Sequence, residues 1–355
     1  MAYTPDKAIH PGHAIARALE REGMSQKNLS ERTGLSEKHI SQIINGEASF
    51  SVEAALLLEN ALGGSASFWI NLEKNYQETK ARLERGELLK KEIALLGDFP
   101  YAELAKRGCV ESATNKEQKV ENLWKFFGVN SLNSVQTTEA IAYRRRTGIS
   151  IKEGTIAAWL RCGELESKEY KVGQFSGAAL RQTLKKLRAL TVKDAEEFSG
   201  DVQKILAEAG VSLVYIPHFA GAGVSAAVRW ISETPLIQLS LLGAYADIFW
   251  FNLFHEIGHL MLHGKKEKFI EFDNRNLSTV KEKEKEADAF ATEALIPPKS
   301  YKEFIEAGDF SKGAVFEFAQ TEGIHPGIVE GRLCFDEKLS WSKPLGFRAR
   351  LKFAD

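Results

Sequence analysis

The sequence predicts an α+β protein. Its parts are an all-helical N-terminal segment, a helical middle region, and a C-terminal region in which a small β-sheet leads into a helix bearing His-Glu-x-x-His. Three observations predict this. From residue 10 to about 78, Ile15, Leu19, Leu29, Ile40, Ile43, Ile44, Ala55, Leu58 and Leu62 recur at three- and four-residue spacings, the period of a helix with one buried face. From Val211 the pattern changes to short apolar runs bounded by turn residues, as strands show. Residues 255–259 then read His-Glu-Ile-Gly-His, and positions i and i+4 of a helix share one face. The expected divisions are residues 1–78, 79–200 and 201–340, with a tail at 341–355.

Composition narrows the class. The 355 residues are 44% hydrophobic and 27% charged, with a net charge of -1, values ordinary for a soluble globular chain of two or three domains. No global basic field points to nucleic acid. No apolar run approaches the roughly 20 residues of a membrane span, and the first ten residues lack the basic-then-apolar order of a signal peptide. Cys109, Cys162 and Cys334 are far apart in sequence. They form neither a disulfide framework nor a metal knuckle, so a reducing cytoplasm is expected, with the cysteines as small apolar residues.

The N-terminal segment from Gly23 to Gly46 reads as two short helices around a tight turn. Ser25 stands at the first N-cap with Asn28 at the capping-box position, and Ser36 stands at the second with His39 three residues on. Gly34 suits the left-handed conformation that ends a helix. Leu29, Leu35, Ile40 and Ile43 would close the core between the two helices. This is helix-turn-helix geometry, in which the second helix enters the major groove. The residues expected to face DNA are Lys38, His39, Ser41, Gln42 and Asn45, beside Glu37; Gln and Asn read adenine edges and Lys reads guanine. The segment resembles the phage-repressor (XRE/Cro) helix-turn-helix family. With His10-Pro-Gly12 before it and Phe68-Trp69 after it, it is similar to the HigA-type antitoxins. Residues 1–85 carry ten Lys/Arg against eleven Asp/Glu, so counterion release would be modest. A homodimer reading paired half-sites would double the contacts.

The middle region offers less chemistry. It is charged and helical in pattern, including Ile93 to Leu96 and Leu180 to Leu190, and reads as a connector or sensor. Arg144-Arg145-Arg146 is its densest basic run, which reads as a solvated face.

Strands are expected at Val211–Ile216, Val224–Trp230 and Leu236–Leu241, with Pro217 and the Ser232–Pro235 turn as breaks. After Gly243 the chain turns helical through the motif. His255 and His259 can present two imidazoles to one metal, and Glu256 stands about 100° around the helix. That pattern specifies metal-assisted hydrolysis, most often of a peptide bond. A third protein ligand must follow. Positions 262 and 265 are Leu262 and Lys265, which excludes a third His there. The segment Glu282 to Ala291 supplies Glu282, Glu284 and Glu286. Glu286 lies one turn before Phe290, on what reads as the buried side; Glu282 is the next candidate, and Glu284 is expected to face solvent.

The run from Asp247 to His263, followed by Glu286-Ala287-Asp288-Ala289-Phe290-Ala291 through Pro297, resembles the ImmA/IrrE family of zinc metallopeptidases, over roughly residues 201–335. The resemblance implies a zincin-like domain in which His255, His259 and Glu286 hold zinc. Manganese is the alternative metal, although two His and one Glu suit zinc. It also implies a regulatory protease that cuts a repressor in stress or mobile-element control. In zinc chemistry of this kind a water of pKa about 7 is the nucleophile, and Glu256 takes its proton and later delivers one to the leaving amine. By residue type Tyr245, His218 and His325 can supply the oxyanion donor, and His263 and Asp288 can orient ligands. The whole chain thus reads as a cytoplasmic, DNA-bound regulator carrying a zinc endopeptidase, with DNA and a repressor protein as partners and no membrane. The alternative is a HigA-like antitoxin repressor whose metallopeptidase fold is a sensor or partner-binding module without proteolysis.

Overall fold

The computed structural model describes residues 5–135, 152–220, 222–240, 245–263 and 277–352. Arg144, Arg145, Arg146 and Lys265 lie outside the described residues. The chain forms two compact units, Met1–Ala94 and Leu95–Asp355.

The first unit is all helical: α1 (Gly12–Arg21), α2 (Gln26–Thr33), α3 (Glu37–Ile44), α4 (Val52–Leu62) and α5 (Ala66–Glu92). The expected end of the segment at residue 78 falls inside α5. Local chemistry sets each early boundary. Ser25 accepts from the Asn28 backbone in a full capping box, and Gly34 ends α2 at φ 73°, a conformation a Cβ would oppose. Ser36 accepts from His39 N at 3.2 Å, and such a cap is worth about 1 kcal/mol. Leu29, Ile40, Ile43, Ala55, Leu58 and Trp69 are buried in one cluster, and Leu35 packs at its edge. Burial against neighbours, more than propensity, holds helices of only eight residues.

Gly12 lets α1 touch α3 directly. A Cβ there would lie 2.3 Å from the Ile43 carbonyl oxygen and 2.6 Å from that of Ile44. Gly12→Val is therefore expected to destabilise this unit by about 1–3 kcal/mol, the usual cost of overpacking. The measurement is the urea midpoint of the unit's unfolding transition; an unchanged midpoint would remove this contact from the account.

The second unit contains α6 (Tyr101–Lys106), α7 (Lys116–Phe127), α8 (Glu153–Ser167), α9 (Gly177–Ala189), α10 (Ala195–Glu208), strands β1 (Ser212–Tyr215), β2 (Ala226–Ile231) and β3 (Thr234–Leu239), α11 (Ala246–Leu262), α12 (Leu277–Leu295), α13 (Pro298–Ala307), α14 (Lys312–Glu322) and α15 (Pro326–Phe335). The strands fall where the sequence puts them, within two residues at each described end. Their order is β1-β3-β2. The central β3 runs parallel to β1, with Leu213 opposite Ile237. It runs antiparallel to β2, with Val228 opposite Ile237. Pro235 sits at the second position of β3, paired with Trp230, near the strand end where a missing N–H costs least.

Both faces of β3 are covered, so its residues from Pro235 to Leu239 are buried without alternation. Ile237 and Leu239 join the cluster built by α9, α10, α11, α12, α14 and α15. Gln238 points the other way, and its Nε2 donates to the Trp159 carbonyl of α8 at 2.6 Å. The Trp159 indole donates to the Ile216 carbonyl at 3.1 Å. Leu180, Leu187 and Leu190 of the expected middle region belong to this same core.

The last described residues pin the start of α11. Ala246 N donates to the Ala349 carbonyl at 2.9 Å, and Arg348 pairs with Asp247 at 2.9 Å. The fully buried Glu330 of α15 accepts from Leu345 N at 2.7 Å and Phe347 N at 2.8 Å. A buried carboxylate satisfied this way holds the tail in place.

Candidate metal centre

The site stands on two helices. α11 buries Phe249, Trp250, Leu253, Phe254, Ile257 and Leu260, which fixes its rotation. His255, His259 and His263 then form a stripe at four-residue spacing on a half-buried face. α12 packs against α11 through small residues: Ala287 and Ala291 are fully buried. Opposite them is Gly258, the one small residue within the motif. A Cβ on Gly258 would lie 3.1 Å from Phe290 and 3.3 Å from Ala287. Gly258→Val is expected to push the helices apart. We expect a loss of about 1–3 kcal/mol in stability, accompanied by weaker metal binding in a metal-competition titration. Loss of stability with unchanged metal affinity would show that the spacing of the helices does not set the site.

Glu284 lies three residues before Ala287, on the same stripe of α12, and its carboxylate reaches the two imidazoles. Its Oε2 is 3.4 Å from His255 Nε2, and its Oε1 is 3.3 Å from His259 Nε2. The two Nε2 atoms are 3.0 Å apart. These three side chains form a group that could hold a metal ion. The placement of the α12 carboxylates differs from the one expected. Glu286, expected at the metal, instead has its Oε2 2.9 Å from His263 Nε2, and Glu284, expected in solvent, is half-buried between the histidines. The reason is the contact face. Phe290 is only partly buried, whereas the alanines at 287 and 291 mark where the helices meet, so the buried stripe runs through 284 rather than 286.

The remaining groups order the tautomers. His255 Nδ1 donates to Asp288 Oδ1 at 2.8 Å, so Nε2, which faces Glu284, is the nitrogen that a metal would take in place of a proton. His263 Nε2 donates to Glu286, so its Nδ1 is an acceptor when the ring is neutral. His259 Nδ1, 3.0 Å away, then donates to it, and its own Nε2 faces Glu284. Two lone pairs and a carboxylate converge on one point. Burial alone would lower the His255 pKa, but hydrogen bonds to Asp288 and Glu284 and the charges of Glu256 and Glu284 push it up to about 9. Such a group calls for a cation in the cluster, whether a proton or a metal.

The donors fit zinc. Metal–nitrogen distances near 2.0–2.1 Å in a tetrahedral site imply donor separations of about 3.3 Å, close to the 3.0–3.4 Å observed. Two imidazoles and a carboxylate are a donor set of catalytic zinc sites. Glu256 is 3% exposed, and its Oε2 is buried with no hydrogen-bond partner among the described residues. An unsatisfied buried carboxylate oxygen is costly, and such orphans mark functional positions.

The other expected donors are elsewhere. Tyr245 sits at the N-terminus of α11, ten residues and about 15 Å along the helix from His255, under the Arg348 guanidinium at 4.2 Å. His325 caps α15, accepting from Gly327 N at 3.0 Å, and burial lowers its pKa. His218 is exposed in the connection after β1. In the first unit Lys38 and Asn45 are exposed on α3 and its cap, His39, Ser41 and Gln42 are half-exposed, and Asn45 Nδ2 donates to Ser41 Oγ at 3.4 Å.

Comparisons with known proteins agree with these two regions. Residues 15–69 match the family model of the helix-turn-helix, and residues 206–318 match that of the IrrE N-terminal-like domain, a peptidase family. A solved structure of an addiction module antidote protein of the HigA family from Coxiella burnetii is 30% identical. The match covers 24% of this chain and 95% of that one, with a TM-score of 0.23. No curated protein matches the chain. No helix among the described residues is long and apolar enough to cross a membrane. The chain thus carries an XRE-type helix-turn-helix domain near its N-terminus and an IrrE/ImmA-like metallopeptidase-family domain in its C-terminal unit.

Proposed function

We propose that this protein is a cytoplasmic DNA-binding regulator whose C-terminal unit is a zinc-dependent endopeptidase acting on a regulatory protein. The observation that carries the reading is the convergence of His255 Nε2, His259 Nε2 and the Glu284 carboxylate within 3.0–3.4 Å, beside the buried Glu256, whose Oε2 has no hydrogen-bond partner among the described residues. In this reading His255, His259 and Glu284 hold the metal. Glu286 is the end of a chain through His263 that fixes the His259 tautomer, and Asp288 does the same for His255.

Zinc in such a site supplies a Lewis acid and makes a water acidic enough to attack a peptide carbonyl near neutral pH. The protein's own part is proton transfer. The free carboxylate oxygen of Glu256 takes the proton of the attacking water and passes it to the leaving amine nitrogen. The helix-turn-helix domain brings the peptidase to a promoter, so the substrate is a repressor acting in trans or this chain itself. Lys38, His39, Ser41, Gln42 and Asn45 are the side chains expected to meet DNA, and a homodimer would place two of them on paired half-sites.

The first test is the metal. Purified protein is expected to carry about one equivalent of zinc per chain, with three protein donors. Stripping it with a chelator is expected to remove stabilisation of about 4 kcal/mol at a thousandfold excess of zinc over Kd, read as a fall in the melting temperature that added zinc restores. Protein that carries no metal and melts identically with or without zinc or manganese would contradict the proposal and favour a non-proteolytic sensor.

A further inference from the structure

Cys109 and Cys162 are 53 residues apart in sequence, and their Sγ atoms lie 3.5 Å apart. The sequence expectation of three ordinary apolar cysteines does not anticipate this pairing. Cys109 follows α6 and is half-buried; Cys162 lies on α8 and is buried. Cys334 is buried on α15.

We infer that Cys109 and Cys162 are a reactive dithiol that closes reversibly to a disulfide when the protein meets a hydroperoxide. The sulfurs need to approach by about 1.5 Å to reach bonding distance near 2.05 Å. The two thiols are chemically unequal. Hydrogen bonding from Cys162 draws the Cys109 pKa down to about 7 against the effect of burial, with help from Arg107. The same hydrogen bond and burial raise that of Cys162. Cys109 is also the half-exposed member of the pair and Cys162 the buried one, so a peroxide reaches Cys109 first: Cys109 is the nucleophile and Cys162 the resolving thiol.

The reaction balances in two steps. The Cys109 thiolate attacks a peroxide oxygen, the O–O bond breaks, and Cys109 becomes a sulfenic acid; the other oxygen leaves as hydroxide or alkoxide and takes up the proton that the Cys109 thiol had released to solvent. The Cys162 sulfur then attacks the Cys109 sulfur. The S–O bond breaks, the S–S bond forms, and a second water leaves with the Cys162 proton. Two thiols have lost two electrons to one hydroperoxide, and a dithiol reductant reverses the change by exchange.

The location gives the bond a mechanical consequence. Two residues before Cys109, Arg107 donates to the Pro217 carbonyl at 2.8 Å and the His218 carbonyl at 3.0 Å, with its guanidinium 4.1 Å over the Phe219 ring. This clamps the connection that follows β1. Cys162 sits on α8, which is fastened to the sheet through Trp159 and Gln238. A disulfide would join the clamp to the helix lying on the sheet. The inference does not depend on the proposed peptidase activity.

The test uses the full-length reduced protein and hydrogen peroxide. One equivalent is expected to lower the mass by about 2 Da, reversibly with dithiothreitol, and peptide mapping is expected to link Cys109 to Cys162 while Cys334 stays a free thiol. Oxidised protein is expected to melt a few degrees above the reduced form, since the bond constrains the unfolded chain. With Cys162→Ser, dimedone is expected to label Cys109. With Cys109→Ser, the rate of peroxide consumption is expected to fall at least about tenfold, because the nucleophilic thiolate is gone. The inference is overturned if wild-type Cys109 ends as a sulfinic acid or an interchain disulfide with no link to Cys162. It is also overturned if the Cys109→Ser variant consumes peroxide as fast as wild type.

Discussion

Glu256→Gln is expected to slow peptide cleavage by about 10²–10⁴-fold, the range for losing a general acid–base, while zinc binding stays near wild type. Glutamine fills nearly the same volume, so the substitution opens no cavity at this buried position. The Glu256 Oε2 atom has no partner among the described residues, and a buried carboxylate in that condition opposes folding. Metal-free Glu256→Gln protein is therefore expected to be at least as stable as metal-free wild type, by chemical denaturation. Loss of activity without loss of stability is the signature of a residue kept for chemistry. A variant that cleaves normally, or that loses activity only because it unfolds, contradicts the role given to Glu256.

Removing Glu284 is expected to have the largest effect on the metal. Structural zinc sites bind with an apparent 10–16 kcal/mol shared over their ligands. One donor is then worth about 3 kcal/mol, so Glu284→Ala should weaken zinc affinity by at least about 100-fold. Glu286→Gln touches the metal only through His263 and His259, and should cost about tenfold, the low end for groups that orient a ligand. Competition against a zinc chelator dye measures both. The order of the two effects is the discriminating result: a larger loss for Glu286→Gln than for Glu284→Ala would restore Glu286 as the ligand.

That comparison shows where the sequence was informative. His255 and His259 were legible because a helix repeats every 3.6 residues, so spacing alone puts both imidazoles on one face. Ser25, Gly34 and Ser36 were legible because capping chemistry is local. The three strands were visible as apolar runs, although the placement of β3 between β1 and β2 was not, since pairing order leaves no trace in periodicity. The sequence points to Glu286 because a large aromatic, Phe290, marks a buried face, whereas the structure brings Glu284 to the imidazoles. Where helices approach closely the contact is made by small residues, and Gly258 facing Ala287 was the overlooked signal. The Cys109–Cys162 contact and the docking of residues 348–350 on the start of α11 join segments far apart in the chain. Only the folded structure brings such segments together. The fold class followed from periodicity, and the site's chemistry needed the packing of one helix on another.

The most direct test of the central claim is a comparison of protein N-termini, by mass spectrometry, in cells carrying the wild-type chain and in cells carrying Glu256→Gln at equal abundance. The account predicts a new internal N-terminus in a DNA-binding regulatory protein, or in this chain, present with the wild type and missing with the variant. Identical N-termini in the two cells, with transcriptional control unaltered by the substitution, would contradict it.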